Sequence, residues 1–199
     1  MQQFPETRQF TVLEGLDGVG KSTTAAAFSK LSGAIVMHTP DQRLNDVRPI
    51  FDSASLTTRD AFYNAANHLV SDQVREAIKS VDVVVDRYAP STIAAAYAHG
   101  LIDSEDILDT NQDRLWDDGL LIPDMVVHLH LDESERVRRM TSRGQDLNRD
   151  EKLLMNNNAF RSRYLEALDS LATDVVIIDS MQPEAIGEKL LDLLRNRRV

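Results

Sequence analysis

FTVLEGLDGVGKSTTAAAFSKL, residues 10–31, is the stretch that decides the fold. It opens on an apolar run, Phe10 to Glu14, that reads as a buried strand, and from Lys21 to Leu31 its alanine-rich sequence favours a helix. Between them Gly15-Leu16-Asp17-Gly18-Val19-Gly20-Lys21-Ser22 fits the pattern G-x-x-x-x-G-K-[ST]. The spacing has a physical reason. Glycines let backbone N–H groups turn inward around phosphate oxygens, and the N-terminus of the following helix adds a favourable dipole. In such a loop Lys21 reaches the β- and γ-phosphates, Ser22 holds Mg²⁺, and Thr23 extends the phosphate-facing segment. The bland alternative is a glycine-rich turn with a solvated lysine; the strand before it and the helix after it argue otherwise. A phosphate loop alone does not separate a kinase from a GTPase, a motor or a switch.

Outward from this loop, short β-branched runs alternate with helical stretches. Ala34–Met37, Val81–Asp86, Met125–Leu131 and Val175–Ile178 read as four more strands. Thr58–Ser80, Ser91–His99, Ser104–Trp116 and Pro183–Arg195 read as helices, with another carrying arginines after Asp132 as its cap, and a long one running from about Asp150 to Leu171. The alternation predicts an α/β fold, a doubly wound five-stranded parallel sheet flanked by helices. With no internal repeat or linker in view, residues 1–199 read as one domain.

Composition narrows the classes. The 199 residues carry a net charge of −10, which argues against broad nucleic-acid binding but not against a small polyanion met by clustered arginines. Arg136, Arg138, Arg139, Arg143 and Arg149 form such a cluster. No apolar run approaches the roughly 20 residues of a membrane span, so no membrane partner is expected. MQQFPETRQF lacks the build of a signal peptide, and cysteine is absent, both of which suit a cytoplasmic setting.

Two further groups bear chemistry. Asp86-Arg87-Tyr88 ends the third strand, on the ligand-facing edge of such a sheet, where Asp86 can serve a metal or the acceptor oxygen and Arg87 a phosphate. A structural Asp–Arg pair is the other reading. His128 and His130 share one face of the fourth strand at a metal-compatible spacing, but no third ligand is apparent, and packed or edge histidines are the safer reading.

VLEGLDGVGKSTT (12–24), VVVDRYAPST (83–92) and the arginines after PDMVVHLHLDESERV (123–137) resemble the thymidylate kinase family of P-loop nucleoside monophosphate kinases. The segment VRPIFDSASLTTRDAFYNAANHLVSDQV (47–74) is more similar to the mitochondrial UMP/CMP kinase branch. The resemblance implies ATP and Mg²⁺ as donor and cofactor, a pyrimidine nucleoside monophosphate as acceptor, and a homodimer. It implies that Arg87 grips the acceptor phosphate, that Asp17 lies near the acceptor sugar and phosphate, and that Ser22 and Asp86 serve the metal. Residues 143–150 match the mobile lid, with Arg143 and Arg149 supplying the charge of an arginine finger, while Arg136 and Arg139 fit a solvated helix end.

The sequence departs from the family at three places. His38-Thr39-Pro40-Asp41-Gln42 replaces a TEPGG-like stretch, Asn67 stands where the family reads the base with arginine, and Ala95 replaces a tyrosine, with Tyr97 two places on. Asn67 can donate and accept, so it tolerates several bases, or it is a helix-surface amide. Arg48 holds the acceptor phosphate or makes a surface ion pair; Phe62, Tyr63 and Tyr97 stack on a base or pack in the core. Two other classes stay open. A deoxynucleoside kinase would use Glu14 as a base, and a nucleotide switch would phosphorylate nothing small, although no N-K-x-D motif is present.

Overall fold

The computed structural model describes residues 8–108, 119–142, 144, 147–178 and 182–197. In chain order the elements are β1 (Phe10–Glu14), α1 (Lys21–Ser32), β2 (Ile35–His38), a 3-10 turn (Gln42–Leu44), α2 (Arg48–Asp52), α3 (Leu56–Ala77), β3 (Val83–Asp86), α4 (Ala89–Ala98), α5 (Ser104–Leu108), β4 (Met125–His130), α6 (Glu133–Ser142), α7 (Arg149–Asn156), α8 (Asn158–Leu171), β5 (Asp174–Ile177) and α9 (Pro183–Arg197). The expected helix from Ser104 is described only to Leu108, and the rest of its expected span lies outside the described residues.

All four strand pairings are parallel, and the sheet order is β2-β3-β1-β4-β5. Because β1 lies between β3 and β4, the chain leaves it toward one edge and later returns to the other. That reversal opens a crevice at the carboxyl ends of the central strands. Both faces of β3 are buried, which is why it reads as an apolar run. Val12, Val85 and Val126 cluster with Val70 and Val74 of α3. Leu13, Val84 and Val127 cluster with Phe28 of α1 and Leu190 of α9.

Local chemistry sets the ends that matter for the crevice. Ser55 accepts a bond from the Thr58 amide at the start of α3, and Asp132 accepts from the Ser134 and Glu135 amides, so the cap expected at Asp132 is present. Asn148 and Glu151 form a reciprocal capping box that fixes the start of α7. The single long helix expected up to Leu171 is two. Asn157 takes an extended conformation (φ −122°, ψ 101°) and its side chain accepts from the Phe160 amide, so one asparagine ends α7 and starts α8. Among the described residues no helix is long and apolar enough to cross a membrane.

Candidate active site

The phosphate loop follows directly from the end of β1. Gly15 has φ +138°, and a Cβ there would lie 2.6 Å from the Leu129 carbonyl oxygen of β4. Gly18 has φ +94°, where a Cβ would come within 2.9 Å of Met140 Cγ on α6. Only glycine fits either place, so the loop is pressed between β4 and α6 with its backbone free to face a ligand. Lys21, buried at the start of α1, donates to the Gly15 and Leu16 carbonyl oxygens at 2.9 and 3.0 Å. Burial, and then repulsion from Arg87, pull its ammonium pKa down to about 8.

Arg136 is not the solvated arginine expected. It is 1% exposed, donates through Nη1 to the Asp17 carbonyl oxygen at 3.0 Å, and grips Glu133 at 2.7 and 2.8 Å through Nε and Nη2. It braces the phosphate loop from beneath. Arg139 fits the expectation better: it is partly exposed and pairs with Glu135 at 2.8 Å, its guanidinium close to Gly20.

At the end of β3 the Ser22 hydroxyl donates to Asp86 Oδ2 at 2.6 Å, and His38 Nδ1 lies 3.6 Å from the same oxygen. Burial would raise the Asp86 pKa, but the neighbouring His38 imidazole, the charge of Lys21 and the bond from Ser22 together hold it below its ordinary value. A carboxylate kept ionised beside a hydroxyl, at the mouth of a phosphate loop, is a donor set of hard oxygens. It fits Mg²⁺, which takes one or two such protein ligands and fills its other positions with water and phosphate oxygens.

Arg87 adopts φ +67°, a left-handed conformation uncommon outside glycine, with its amide bonded to the Leu13 carbonyl oxygen at 3.0 Å. Its guanidinium donates to Asp17 Oδ1 at 2.6 Å, Ser91 Oγ at 2.9 Å and the Tyr164 hydroxyl at 3.3 Å. Burial would raise the Asp17 pKa, yet Arg87 and then Lys21 outweigh it and hold the carboxyl far below the usual range. Asp17 therefore stands between two cations, the loop lysine on one side and Arg87 on the other.

Glu14 has a different task. It is fully buried, accepts from the Tyr88 and Ser91 amides at 2.9 and 3.2 Å and from the Ser91 hydroxyl, and so anchors the start of α4. Burial raises its pKa despite the nearby charge of Arg87. It is not on the wall of the cleft, which removes the geometric basis for Glu14 as the base of a deoxynucleoside kinase.

Beyond Asp17 opens a cleft walled by α2, α3, α4, the start of α7 and Tyr164 of α8. Arg48, Arg59 and Arg87 all reach it. Arg48 Nε donates to the Tyr63 hydroxyl at 3.2 Å, and that hydroxyl donates to Asp52 at 2.8 Å. Arg59 pairs with Asp52 at 3.2 Å and with the Asp150 carboxylate, whose other oxygen lies 3.0 Å from His99 Nε2. Asp150 thus ties the start of α7 to α3 and α4 across the cleft.

Several residues expected at the acceptor lie elsewhere. Asn67 is 0% exposed and does not line the cleft; its Nδ2 donates to Thr92 Oγ1 at 2.9 Å, and Thr92 forms the wall in front of it. The surface-amide alternative fails as well, since both helices cover the side chain. Tyr97 lies on the other side of α4, under the Arg163 guanidinium at 4.3 Å, while Ala95 lines the cleft. Phe62 stacks on Phe51 with centroids 4.5 Å apart, which is core packing. Arg149 is exposed at the first turn of α7, whereas Asn148, Asp150 and Glu151 line the cleft; Arg143 lies outside the described residues.

Arg59, Ser91, His99, Asp150 and Tyr164, which no sequence motif singles out, supply much of this wall, while His38 stands by Asp86 at the mouth of the loop. Arg59 carried a usable signal, since it precedes Tyr63 by one helical turn and so shares its face of α3.

The sheet order and the loop place the chain among P-loop nucleotide-binding proteins, and the arginine-walled cleft across from the loop is what a kinase of small anionic acceptors needs. The sequence profile of the thymidylate kinase family matches residues 13–190, and the chain belongs to that family. Its class is that of a nucleoside monophosphate kinase, a phosphotransferase. The thymidylate kinase of Leifsonia xyli subsp. xyli is 30% identical over 190 residues, covering 87% of this chain and 88% of its own length. The mitochondrial UMP-CMP kinase 2 of Homo sapiens is 27% identical over 192 residues, which is 94% of this chain and 43% of that protein, so the chain spans less than half of that relative. The solved thymidylate kinase of Candida albicans shares the fold, with a TM-score of 0.73, 20% identity, and coverage of 97% of this chain and 94% of that one.

Proposed function

We propose that this protein transfers the γ-phosphoryl group of ATP to a pyrimidine nucleoside monophosphate, dTMP or one of dUMP, dCMP, UMP and CMP, with Mg²⁺ held at Ser22 and Asp86. The observation that carries the reading is Asp17 standing between Lys21 and Arg87, at the junction of a triphosphate-binding loop and an arginine-lined cleft. Phosphoryl transfer asks for positioning and charge neutralisation more than for covalent chemistry. Lys21 would leave the loop carbonyls for the β- and γ-phosphates, which also return its pKa upward. Arg87 and Arg48 would bind the acceptor phosphate, Arg87 exchanging part of its pairing with Asp17. Asp17 would then be free to orient the acceptor. Bound at Ser22 and Asp86, Mg²⁺ would supply charge neutralisation on the transferring group.

An acceptor phosphate is already anionic at neutral pH, so no general base is required, in keeping with a Glu14 committed to backbone amides. Tyr63 and Thr92 flank the space left for the base. Arg143 and Arg149, in a lid of about residues 143–150, would add positive charge on closure and exclude water. A single kinase domain acting as a cytoplasmic homodimer completes the reading, by likeness to the family.

The test is to incubate the protein with ATP, Mg²⁺ and each common nucleoside or nucleoside monophosphate separately and to measure ADP. Turnover with pyrimidine monophosphates is expected. Turnover with nucleosides alone would replace the reading by a deoxynucleoside kinase, and silence with every acceptor would favour a nucleotide switch.

A further inference from the structure

We propose a second metal site, separate from the kinase centre: a divalent transition-metal ion, Zn²⁺ or a close analogue, held by His128 Nδ1, His130 Nε2 and Asp169 Oδ1. The two histidines project from the same face of β4, and Asp169 comes from α8, which packs across that face. The third ligand that the strand alone did not supply is therefore given by a helix some forty positions along the chain.

The three ligand atoms form a nearly regular triangle. His128 Nδ1 lies 2.7 Å from Asp169 Oδ1, His130 Nε2 lies 3.0 Å from the same oxygen, and the two nitrogens are 3.0 Å apart. Tetrahedral Zn²⁺ with bonds of about 2.0–2.1 Å spaces its ligand atoms by roughly 3.3 Å, so a small outward movement accommodates the ion. Hydrogen bonding alone serves this triangle poorly. Each ring nitrogen has either one proton or one lone pair in the ring plane, so it cannot satisfy both neighbours at once. If both nitrogens donate to Asp169, two N–H groups face each other; if one of them lacks a proton, its lone pair faces the carboxylate oxygen or it depends on the other histidine. One cation at the centre uses all three lone pairs together.

The ligand set also selects the ion. Two imidazoles with one carboxylate suit Zn²⁺, Co²⁺ or Ni²⁺ and disfavour the all-oxygen preference of Mg²⁺ and Ca²⁺. An entry path exists. His128 is fully buried, but His130 and Asp169 are 32% and 48% exposed, beside the open face of edge strand β5, where Val175 and Ile177 reach solvent. The remaining coordination position would go to water. The position within the fold is consequential, because His128 pairs in register with Glu14, and the intervening Leu129 is the residue against which Gly15 of the phosphate loop packs.

The test uses the full chain stripped with EDTA and titrated with Co²⁺, whose visible d–d absorption reports coordination, followed by displacement with Zn²⁺. One equivalent of strongly absorbing, Zn²⁺-displaceable Co²⁺ is expected in the wild type and in Asp86→Asn. His130→Ala and Asp169→Asn, both at partly exposed positions, should each weaken it by about 100-fold or more, with circular dichroism reporting an intact fold. Absence of the spectrum in the wild type would overturn the proposal. So would its survival in both ligand variants, or its loss in Asp86→Asn alone, which would place the metal at the kinase centre.

Discussion

The phosphate loop and the acceptor cleft adjoin at Asp17, yet they are built in opposite ways. The loop is one run of consecutive residues, Gly15 to Ser22, whose shape follows from glycines at fixed spacing between a strand and a helix. The cleft takes side chains from five separate helices, and its polar contacts join positions as far apart as Arg59 and Asp150. Local backbone geometry makes one half; tertiary packing makes the other. The donor half should therefore fail when a single loop residue changes, while the acceptor half should lose function in smaller steps.

The largest effect expected is from Lys21→Met. Removing the loop ammonium proposed to meet the transferring phosphates should lower kcat by roughly 10³-fold or more, with thermal unfolding little changed, since a buried cation of depressed pKa adds little to stability. A mild loss in steady-state assays would break the division at its strongest point. Next is Arg136→Met. The brace under Asp17 loses its hydrogen bonds but keeps much of its apolar bulk, so unfolding in urea should report a loss of about 1–3 kcal/mol, with KM for ATP rising as the loop loosens.

On the acceptor side, Arg59→Met should raise KM for the nucleoside monophosphate by about tenfold, the equivalent of one charge-assisted contact, and alter KM for ATP far less. An equal rise in both would mean that Arg59 supports the whole fold rather than the cleft. The pH dependence is gentler still. Lys21 in the free protein titrates at about 8, and bound triphosphate favours its charged form. ATP affinity should thus hold below that pH and weaken as pH rises through it, with proton uptake on binding measurable by calorimetry in buffers of differing ionisation heat. The smallest effect is that of Asn67→Leu, whose acceptor profile should match the wild type because Asn67 lies behind Thr92. A changed preference among pyrimidine monophosphates would put Asn67 in base recognition after all.

This asymmetry explains what could be read from the chain alone. The strand from Phe10 to Glu14 and the helix from Lys21 follow from composition and period, and Ser22 meets Asp86 because parallel strands bring their carboxyl ends together. Helical spacing told less about direction. On α3 the resemblance points to Asn67, and Phe62 and Tyr63 are each open to base stacking or core packing, but only packing against α2 and α4 shows that Tyr63 faces the cleft and that the other two do not. Tyr97, two residues beyond Ala95, lies on another face of α4, where its core-packing reading holds and its base-stacking reading does not. Arg136 looked solvated in a charged stretch, yet Glu133, one turn earlier, and the Asp17 carbonyl satisfy it in the interior. The break at Asn157 was hidden in a run of three asparagines, any of which could have capped a helix or decorated one.

The most direct measurement of the link between the two halves is to follow the γ-phosphate itself. ATP carrying a radiolabel at the γ position should, with wild-type protein and Mg²⁺, pass its label to a pyrimidine nucleoside monophosphate and yield labelled diphosphate, with almost none released as inorganic phosphate. Lys21→Met should yield no labelled diphosphate. Label appearing only as inorganic phosphate, whichever acceptor is present, would contradict the assignment of the arginine-walled cleft as the acceptor site.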